Sequence, residues 1–449
     1  MMVTSTPRST PKQADRQSPA PTDTLVEIRR IPTLLKSTAR PWQSRDAASN
    51  MSPVSDYRHI VRLRIWALSI PLRRPFGHAA KVRTHADPIV VEAELSDGTH
   101  GYGETLPRPY VSGETPDSVV QSIADDLIPD LVAFRPASFP EALERIDALP
   151  DHDETGDVIT AARSGVELAL LDAYSKAFGK PISEAVNWLG LPGFGAPGSI
   201  EKTRYSGVLS GTDPAKLRRA VRMMYWYGLR DFKLKVGYED DLERVSTVVR
   251  ALGRGLGRKT TLRLDANGAW SLESAFERLA RMDGLAIRSV EQPLPRDDDK
   301  KLVALKQAVS LTVMHDESLV TLSDAKRLQE MGVADAFNIR ISKNGGFLPA
   351  VRLAHFARKH NALYQLGCMV GETSILSAVG RRFLENVPGV LFAEGSYGRF
   401  LLTDDVVARP VRFGYGGRGH ALGGLGWGVE VRAEQLERYA AYEPLEMPL

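Results

Sequence analysis

DFKLKVG, residues 231–237, alternates two lysines with three large apolar residues. In an extended chain, Phe232, Leu234 and Val236 fall on one side and Lys233 and Lys235 on the other. If the strand is buried on both faces, two ammonium groups point into an interior. Such burial is costly unless acids meet them.

The chain that follows supplies the acids. TLRLD ends in Asp265, IRSVE ends in Glu291, and LTVMH runs into Asp316, at spacings of 26 and 25 residues. Each spacing is about one strand-plus-helix unit. From about residue 203 the same alternation recurs: RYSGVLS, DFKLKV, TLRLD, IRSVE, LTVMH, AFNIR, ALYQL and VLFAE are short apolar strands, each followed by a helical stretch. That is the pattern of parallel βα units, and eight of them predict a modified (β/α)8 TIM-type barrel over 191–403. A doubly wound open sheet would need a glycine-rich phosphate turn after an early strand, and none is present. The one G-x-G-x-x-G, GYGGRG at 414–419, has no helix after it and reads as a loop.

A barrel gathers its strand ends at one mouth. Three carboxylates from consecutive strands meet there and repel. An all-oxygen set of this kind suits Mg2+, with Mn2+ as a possible substitute. Any one of these acids alone could serve as a helix N-cap; three in register with the chain period argue for a site. Lys233 and Lys235 enter the same mouth. A desolvated lysine beside a second cation is expected to have a lowered pKa, which suits a general base. His315 has the opposite parity to Asp316 and is expected to pack beneath a helix.

Ahead of the barrel, residues 58–190 read as an α+β domain. Strands at 61–72 and 88–104, the second turning at Asp97-Gly98, precede helical stretches at 115–134 and 138–149 and an amphipathic one at 157–179. Residues 1–57 form a leader rich in Ser, Thr, Pro and Gln, expected to be disordered, with Met51 a plausible alternative start. Residues 1–50 carry a net charge of +4, which leaves the other 399 at −1, so no nucleic-acid partner is expected. No stretch has the ~18 apolar residues of a membrane span, and the leader lacks the apolar core of a secretory signal. Cys368 is the only cysteine, which excludes an intrachain disulfide and fits a reducing, cytoplasmic setting.

K-x-K at 233–235, D-x-N at 265–267, E-Q-P at 291–293 and D-E-S at 316–318, in this order, resemble the muconate lactonizing enzyme subgroup of the enolase superfamily. The similarity runs from about residue 60 to GGLGWGVEV near the end. It implies an α+β capping domain, a Mg2+-bearing barrel to which 404–449 is a segment returning to the capping domain, and a likeness to homo-oligomers. It implies abstraction of the proton α to a small acid's carboxylate through an enediolate. Asp265, Glu291 and Asp316 then correspond to metal ligands, and Lys235 to the acid/base. Lys233 corresponds to the cation that tunes Lys235 and meets the substrate carboxylate. Asn267, Gln292 and Glu317 correspond to residues that support the ligands. Specificity would come from capping loops near 76–87 and 108–114.

One position departs from the pattern. Such proteins usually carry a lysine on the sixth strand, facing the first across the substrate; here FNIRISKNGG places Arg340 there, 24 residues after Asp316. Guanidinium does not act as a base under ordinary conditions. This favours a one-base cycloisomerase or a lyase of the o-succinylbenzoate synthase type. The alternatives are a racemase or epimerase of N-acyl amino acids or dipeptides, with Lys343 or a water supplying the second proton, and a non-catalytic binding protein on a degenerate barrel. The eighth strand also lacks the D-x-D with which dipeptide epimerases hold an ammonium group. Glu372 and Glu394 are candidate substrate contacts, and Cys368 and Met369 candidate pocket residues.

Overall fold

The computed structural model describes residues 58–78, 81–196 and 204–449; the leader, with everything expected of it, lies outside the described residues. The chain begins with β1 (Ile60–Ala67), β2 (Ile70–His78), β3 (Lys81–Ala86), β4 (Ile89–Leu95) and β5 (His100–Thr105). β1, β4 and β5 form an antiparallel sheet in that order, and β2 pairs with β3 as a separate hairpin. The single strand expected over 61–72 is therefore two. The break falls at Leu68 and Ser69, whose N–H groups donate to Pro88 O and Tyr439 O.

Three helices cover this sheet. Pro116–Ser122 starts at Thr115, whose side chain accepts from Ser118 N while the Ser118 side chain returns the bond. Phe139–Asp147 is capped by Ser138. The third, Thr160–Ala177, overturns the amphipathic expectation, because every residue from Thr160 to Ser175 is buried. One face lies on β5, where glycines admit the helix backbone: a Cβ on Gly103 would stand 2.1 Å from Gly165 O. The other face meets the barrel. Glu167 accepts from Phe347 N and Leu348 N at 2.9 and 2.8 Å, and Trp427 Nε1 donates to Leu168 O at 3.0 Å. A helix covered on all sides has no polar face to show.

The second sheet is parallel and follows chain order: β6 (Gly207–Leu209), β7 (Asp231–Lys235), β8 (Thr261–Asp265), β9 (Ser289–Glu291), β10 (Thr312–His315), β11 (Ala336–Ile339) and β12 (Leu363–Leu366). The eighth strand is reduced to a bridge at Ala393, which pairs with both Leu366 and Tyr205. Glu394 N donates to Leu366 O and Ser206 N to Ala393 O, each at 2.8 Å, so the sheet closes on itself. Full helices follow the first seven strands; after the eighth comes only the four-residue Gly398–Leu401.

β13 (Leu445–Pro448) pairs antiparallel with β1, so the end of the chain rejoins the first sheet. The glycine-rich 414–419 stretch is loop and one short 3-10 turn. Its Gly417 is required by proximity, since a Cβ there would lie 2.5 Å from Tyr205 O. Among the described residues no helix is long and apolar enough to cross a membrane.

Candidate active site

Register brings the acids and lysines together. Lys235 pairs with Asp265 across β7 and β8, and Asp265 with Glu291 across β8 and β9. Glu291 pairs with Met314, so Asp316 stands one pleat further along. Lys233, Lys235, Asp265, Glu291, Asp316 and Arg340 are all buried.

The cations divide the carboxylates among themselves. Lys235 Nζ donates to Asp265 Oδ2 at 2.7 Å and to Asn267 Oδ1 at 2.8 Å. Lys233 Nζ lies 3.1 Å from Asp265 Oδ2, 3.1 Å from Glu291 Oε1 and 2.8 Å from Glu394 Oε2. Arg340 Nη2 bonds Asp316 Oδ2 and stands 3.7 Å from Glu291 Oε1. Lys343 Nζ holds Asp316 from behind, through Oδ1 at 3.0 Å and the backbone oxygen at 2.7 Å.

Burial disfavours every charge here, and the neighbours decide which charges survive. Burial works to raise Asp265, but Lys235 and Lys233 outweigh it and hold the carboxyl well below its usual range. Burial also opposes the Lys233 charge, yet Glu291, Glu394 and Asp265 hold it far above the ordinary lysine range. Glu291 and Glu317 are pushed up, by burial first and then by the acids beside them. Arg340 keeps its charge against burial because Asp316, Glu317 and Glu291 surround it.

Asn267, Gln292 and Glu317 surround the acids. Asn267 Nδ2 donates to Glu317 Oε1 at 3.1 Å. Gln292 takes N–H groups from Asp316 and Ser318, both at 3.1 Å, and so fixes the turn that carries Asp316. Asn267 and Gln292 both have positive φ, 46° and 38°, strain placed directly beside the acids. His315 is buried with Nε2 2.8 Å from Val333 O, packed beneath a helix and away from the acids.

Among the described residues, no three acidic, histidine or cysteine side chains stand close enough to ligate one ion. The lysines and Arg340 lie between the carboxylates and neutralise them instead. The chemistry of the donor set nonetheless fits a hard divalent cation: Asp265, Glu291 and Asp316 offer only oxygen, and the neighbouring Glu317 Oε2 is buried with no hydrogen-bond partner.

Lys235 and Arg340 open onto a cavity of about 450 Å3. Glu372, Glu394, Cys368 and Met369 also line it, whereas Lys343 does not. Glu394 is spoken for, bonded to Lys233 and, at 2.9 Å, to Arg263 Nη2. Glu372 is pushed well above the usual carboxylate range by burial. Sequence reasoning missed much of the wall, including Met223, Met224, Tyr227, Tyr397, Phe400 and Phe413. The signal for these was the aromatic and methionine content of RMMYWYG, SYGRF and RFGYGG. The tip of the 76–87 loop lies outside the described residues, but Arg108 Nη2 ties Asp87, at 2.7 Å, to Val370 O of the cavity wall, at 3.3 Å.

The fold agrees with what the chain is similar to. Residues 60–186 match the N-terminal domain of the mandelate racemase / muconate lactonizing enzyme family, and residues 216–436 match the enolase C-terminal domain-like family. The chain belongs to the enolase superfamily, in its mandelate racemase / muconate lactonizing enzyme branch; members of that superfamily are enzymes and use Mg2+. An N-succinyl-L-Arg/Lys racemase of Bacillus cereus is 27% identical over 72% of this chain and 82% of its own. The crystal structure of the Bacillus cereus N-succinyl Arg/Lys racemase superposes with a TM-score of 0.76, at 25% identity, over 87% of this chain and 100% of that one. Muconate cycloisomerase 1 of Pseudomonas putida is 29% identical over 72% of this chain and 83% of its own. A dipeptide epimerase of Cytophaga hutchinsonii, solved with Mg and D-Ala-L-Val, shares the fold at 23% identity and a TM-score of 0.73, over 86% of this chain and 99% of that one.

Proposed function

We propose that this chain abstracts the proton α to the carboxylate of a small acid, with Lys235 as the one base, and works as a cycloisomerase or lyase. The observation that carries this reading is that Lys235 and Arg340 share one cavity while only the lysine can give up and take a proton. Asn267 holds Lys235 Nζ in place, and the α-proton moves to that nitrogen. Lys233, clamped by three acids, stays charged below it. Arg340 keeps a fixed positive charge facing the substrate. Asp265, Glu291 and Asp316 would hold Mg2+, or Mn2+ in its place, once the lysines and Arg340 yield the carboxylates. When bound, the ion supplies positive charge to the substrate carboxylate as negative charge develops there.

The second reading is a racemase or epimerase; the relatives' names include racemases, epimerases and muconate cycloisomerases. It needs a proton donor on the other face. Of its two candidates, Lys343 and a water, Lys343 is buried behind Asp316 outside the cavity wall.

Incubation of a carboxylate library with the Mg2+-loaded protein in deuterated water tests the choice. Exchange of a single enantiomer, or elimination or cyclisation without exchange of the other, is expected, and Lys235→Ala abolishes it. Equal exchange of both enantiomers would establish a second base and favour the epimerase.

A further inference from the structure

Two turns of the barrel carry cavity groups that share the space with Lys235. Residues 340–346, after β11, hold Arg340, and residues 367–373, after β12, hold Cys368, Met369 and Glu372. Both turns are gripped by the N-terminal domain, through the end of β5 and the three residues after it. Glu104 Oε1 accepts from Thr373 N at 2.8 Å, and its Oε2 accepts from Thr373 Oγ1 at 2.7 Å and from Leu376 N at 2.8 Å. The next residue serves the other turn. Thr105 Oγ1 and Ser342 Oγ share a hydrogen bond of 2.9 Å, and Ser342 Oγ also accepts from Leu106 N at 2.9 Å. Arg108 adds its bond to Val370 O. The backbones meet closely as well, since a Cβ on Gly371 would lie 2.8 Å from the Ala86 Cβ. Glu104, Thr105, Ser342 and Thr373 are all buried, and neither Glu104 nor Thr105 lines the cavity.

Buried polar pairs of this kind leave a turn few positions, because each alternative orphans a donor or an acceptor. Ser342 lies two residues from Arg340, in a turn that Arg340 N closes onto Asn344 Oδ1 at 2.8 Å. Moving Ser342 therefore moves Arg340. A charge that meets a developing anion is sensitive to such shifts, and ~1 Å can cost about a hundredfold in rate. We propose that residues 104–108 form a clamp that sets both turns, with Thr105 the positioning residue for Arg340 and Glu104 the positioning residue for the Met369 and Glu372 wall. This rests on the reading of Lys235 and Arg340 as the reacting end of the cavity. Strand alternation is what lets two consecutive side chains reach two different turns.

The test compares Thr105→Val, Thr105→Ser and Glu104→Gln in the full-length, Mg2+-loaded protein. Valine keeps the branched shape of threonine and removes its hydroxyl, whereas serine keeps the hydroxyl. Cys368 is the only cysteine and sits in the second turn, so alkylation by iodoacetamide reports on that turn alone. Thr105→Val should speed backbone amide exchange over residues 340–346 and leave Cys368 alkylation as in the wild type. Glu104→Gln should speed both Cys368 alkylation and amide exchange over 367–376. On the acid that the carboxylate library yields, Thr105→Val and Glu104→Gln should each lower kcat about tenfold or more, with KM changed less. Thr105→Ser should restore kcat and the slow exchange of 340–346. Unchanged exchange in both turns, loosened turns with wild-type kcat, or a kcat loss as large in Thr105→Ser as in Thr105→Val overturns the proposal. So does a fall in the urea midpoint without a fall in kcat, which would make these bonds domain glue alone. If Glu104→Gln does not fold, the two Thr105 variants decide. Amide exchange and alkylation need no substrate. A wild type that exchanges no α-proton therefore sinks the reaction and leaves the clamp to stand or fall on them, whereas turnover with unmoved turns sinks the clamp and leaves the reaction.

Discussion

Arg340 donates to the carboxylate of Asp316, on the neighbouring strand, and so occupies one of the acids assigned to the metal. Asp265 and Glu291 are occupied in the same way by Lys235 and Lys233. The cluster is thus an internal salt of acids and bases, and on the proposed reading Mg2+ would enter it by competition with ammonium and guanidinium groups. Competition of that kind makes the metal affinity sensitive to residues that are not ligands.

Arg340→Met should therefore bind Mg2+ at least as tightly as the wild type, because Asp316 loses a competitor and keeps Lys343. Its turnover should fall, since fixed charge facing a developing anion is worth ~3–4 kcal/mol, a hundred- to thousandfold in rate. Calorimetry and turnover on one preparation check both. Loss of Mg2+ binding in this variant would mean that Arg340 organises the acids rather than competing for them.

Arg340→Lys keeps the charge and gives the position a group that can carry a proton away. The native rate should drop, while solvent deuterium appears in the enantiomer that the wild type leaves unlabelled. Chiral separation followed by mass spectrometry reads the label; no new labelling would show that the side chain at 340 does not reach the α-carbon.

The Asp265→Ala, Glu291→Ala double variant should lose the single Mg2+ site per chain. It should also free Lys233 from two of its three acids, leaving Glu394. Retention of one tight site in calorimetric titration would place the metal elsewhere.

How much of this was legible follows from what repeats along the chain. The barrel was readable because each unit restates a strand-to-helix pattern, and the acids keep pace with it. That Lys233 and Lys235 share one side followed from strand parity, and the acids ending the next strands gave its direction. Helix Thr160–Ala177 was misjudged because small residues and paired acids look polar in sequence, whereas Glu167 and Asp172 are buried and satisfied by distant N–H groups. The apolar wall was invisible for another reason. Met223, Phe400 and Phe413 come from three separated segments, and no local spacing reports that they meet. The role of Glu394 was hidden likewise, since Arg263, its partner, lies 131 residues away.

Gly103 offers a check on the first sheet. A Cβ there would stand 2.1 Å from Gly165 O and 2.6 Å from Ala169 N, both backbone atoms that cannot swing aside. Gly103→Ala must separate strand from helix and should cost roughly 4 kcal/mol or more, an unusually large loss for one methyl group. Urea denaturation of purified protein measures it. A loss under about 1 kcal/mol would mean that the helix does not press on β5 as described.

The final prediction concerns Glu167, which reaches from the buried helix to the N-terminus of the barrel helix Phe347–Lys359. Burial raises its pKa to about 7, against the opposing pull of Arg163 and of the N–H groups of Leu348 and Phe347. In the unfolded chain an ordinary glutamate titrates near 4.3. Between these values the folded state binds the extra proton, so stability falls as pH rises through the interval and stays lower above it. From pH 5 to pH 8 the loss from this one group amounts to about 2 to 3 kcal/mol. Glu104 and Glu114, raised to about 7 and about 6 chiefly by burial, act in the same direction, so the wild-type profile alone does not isolate Glu167. Glu167→Gln does. The amide weakens one of the two N–H contacts, so the variant should be less stable than wild type at pH 5 by about 1 kcal/mol. As the pH rises the wild type loses stability and the variant does not, so the two curves should cross before pH 8. Urea midpoints at pH 5, 6, 7 and 8 give the answer: parallel profiles would show that Glu167 is already ionised in the folded protein at pH 5.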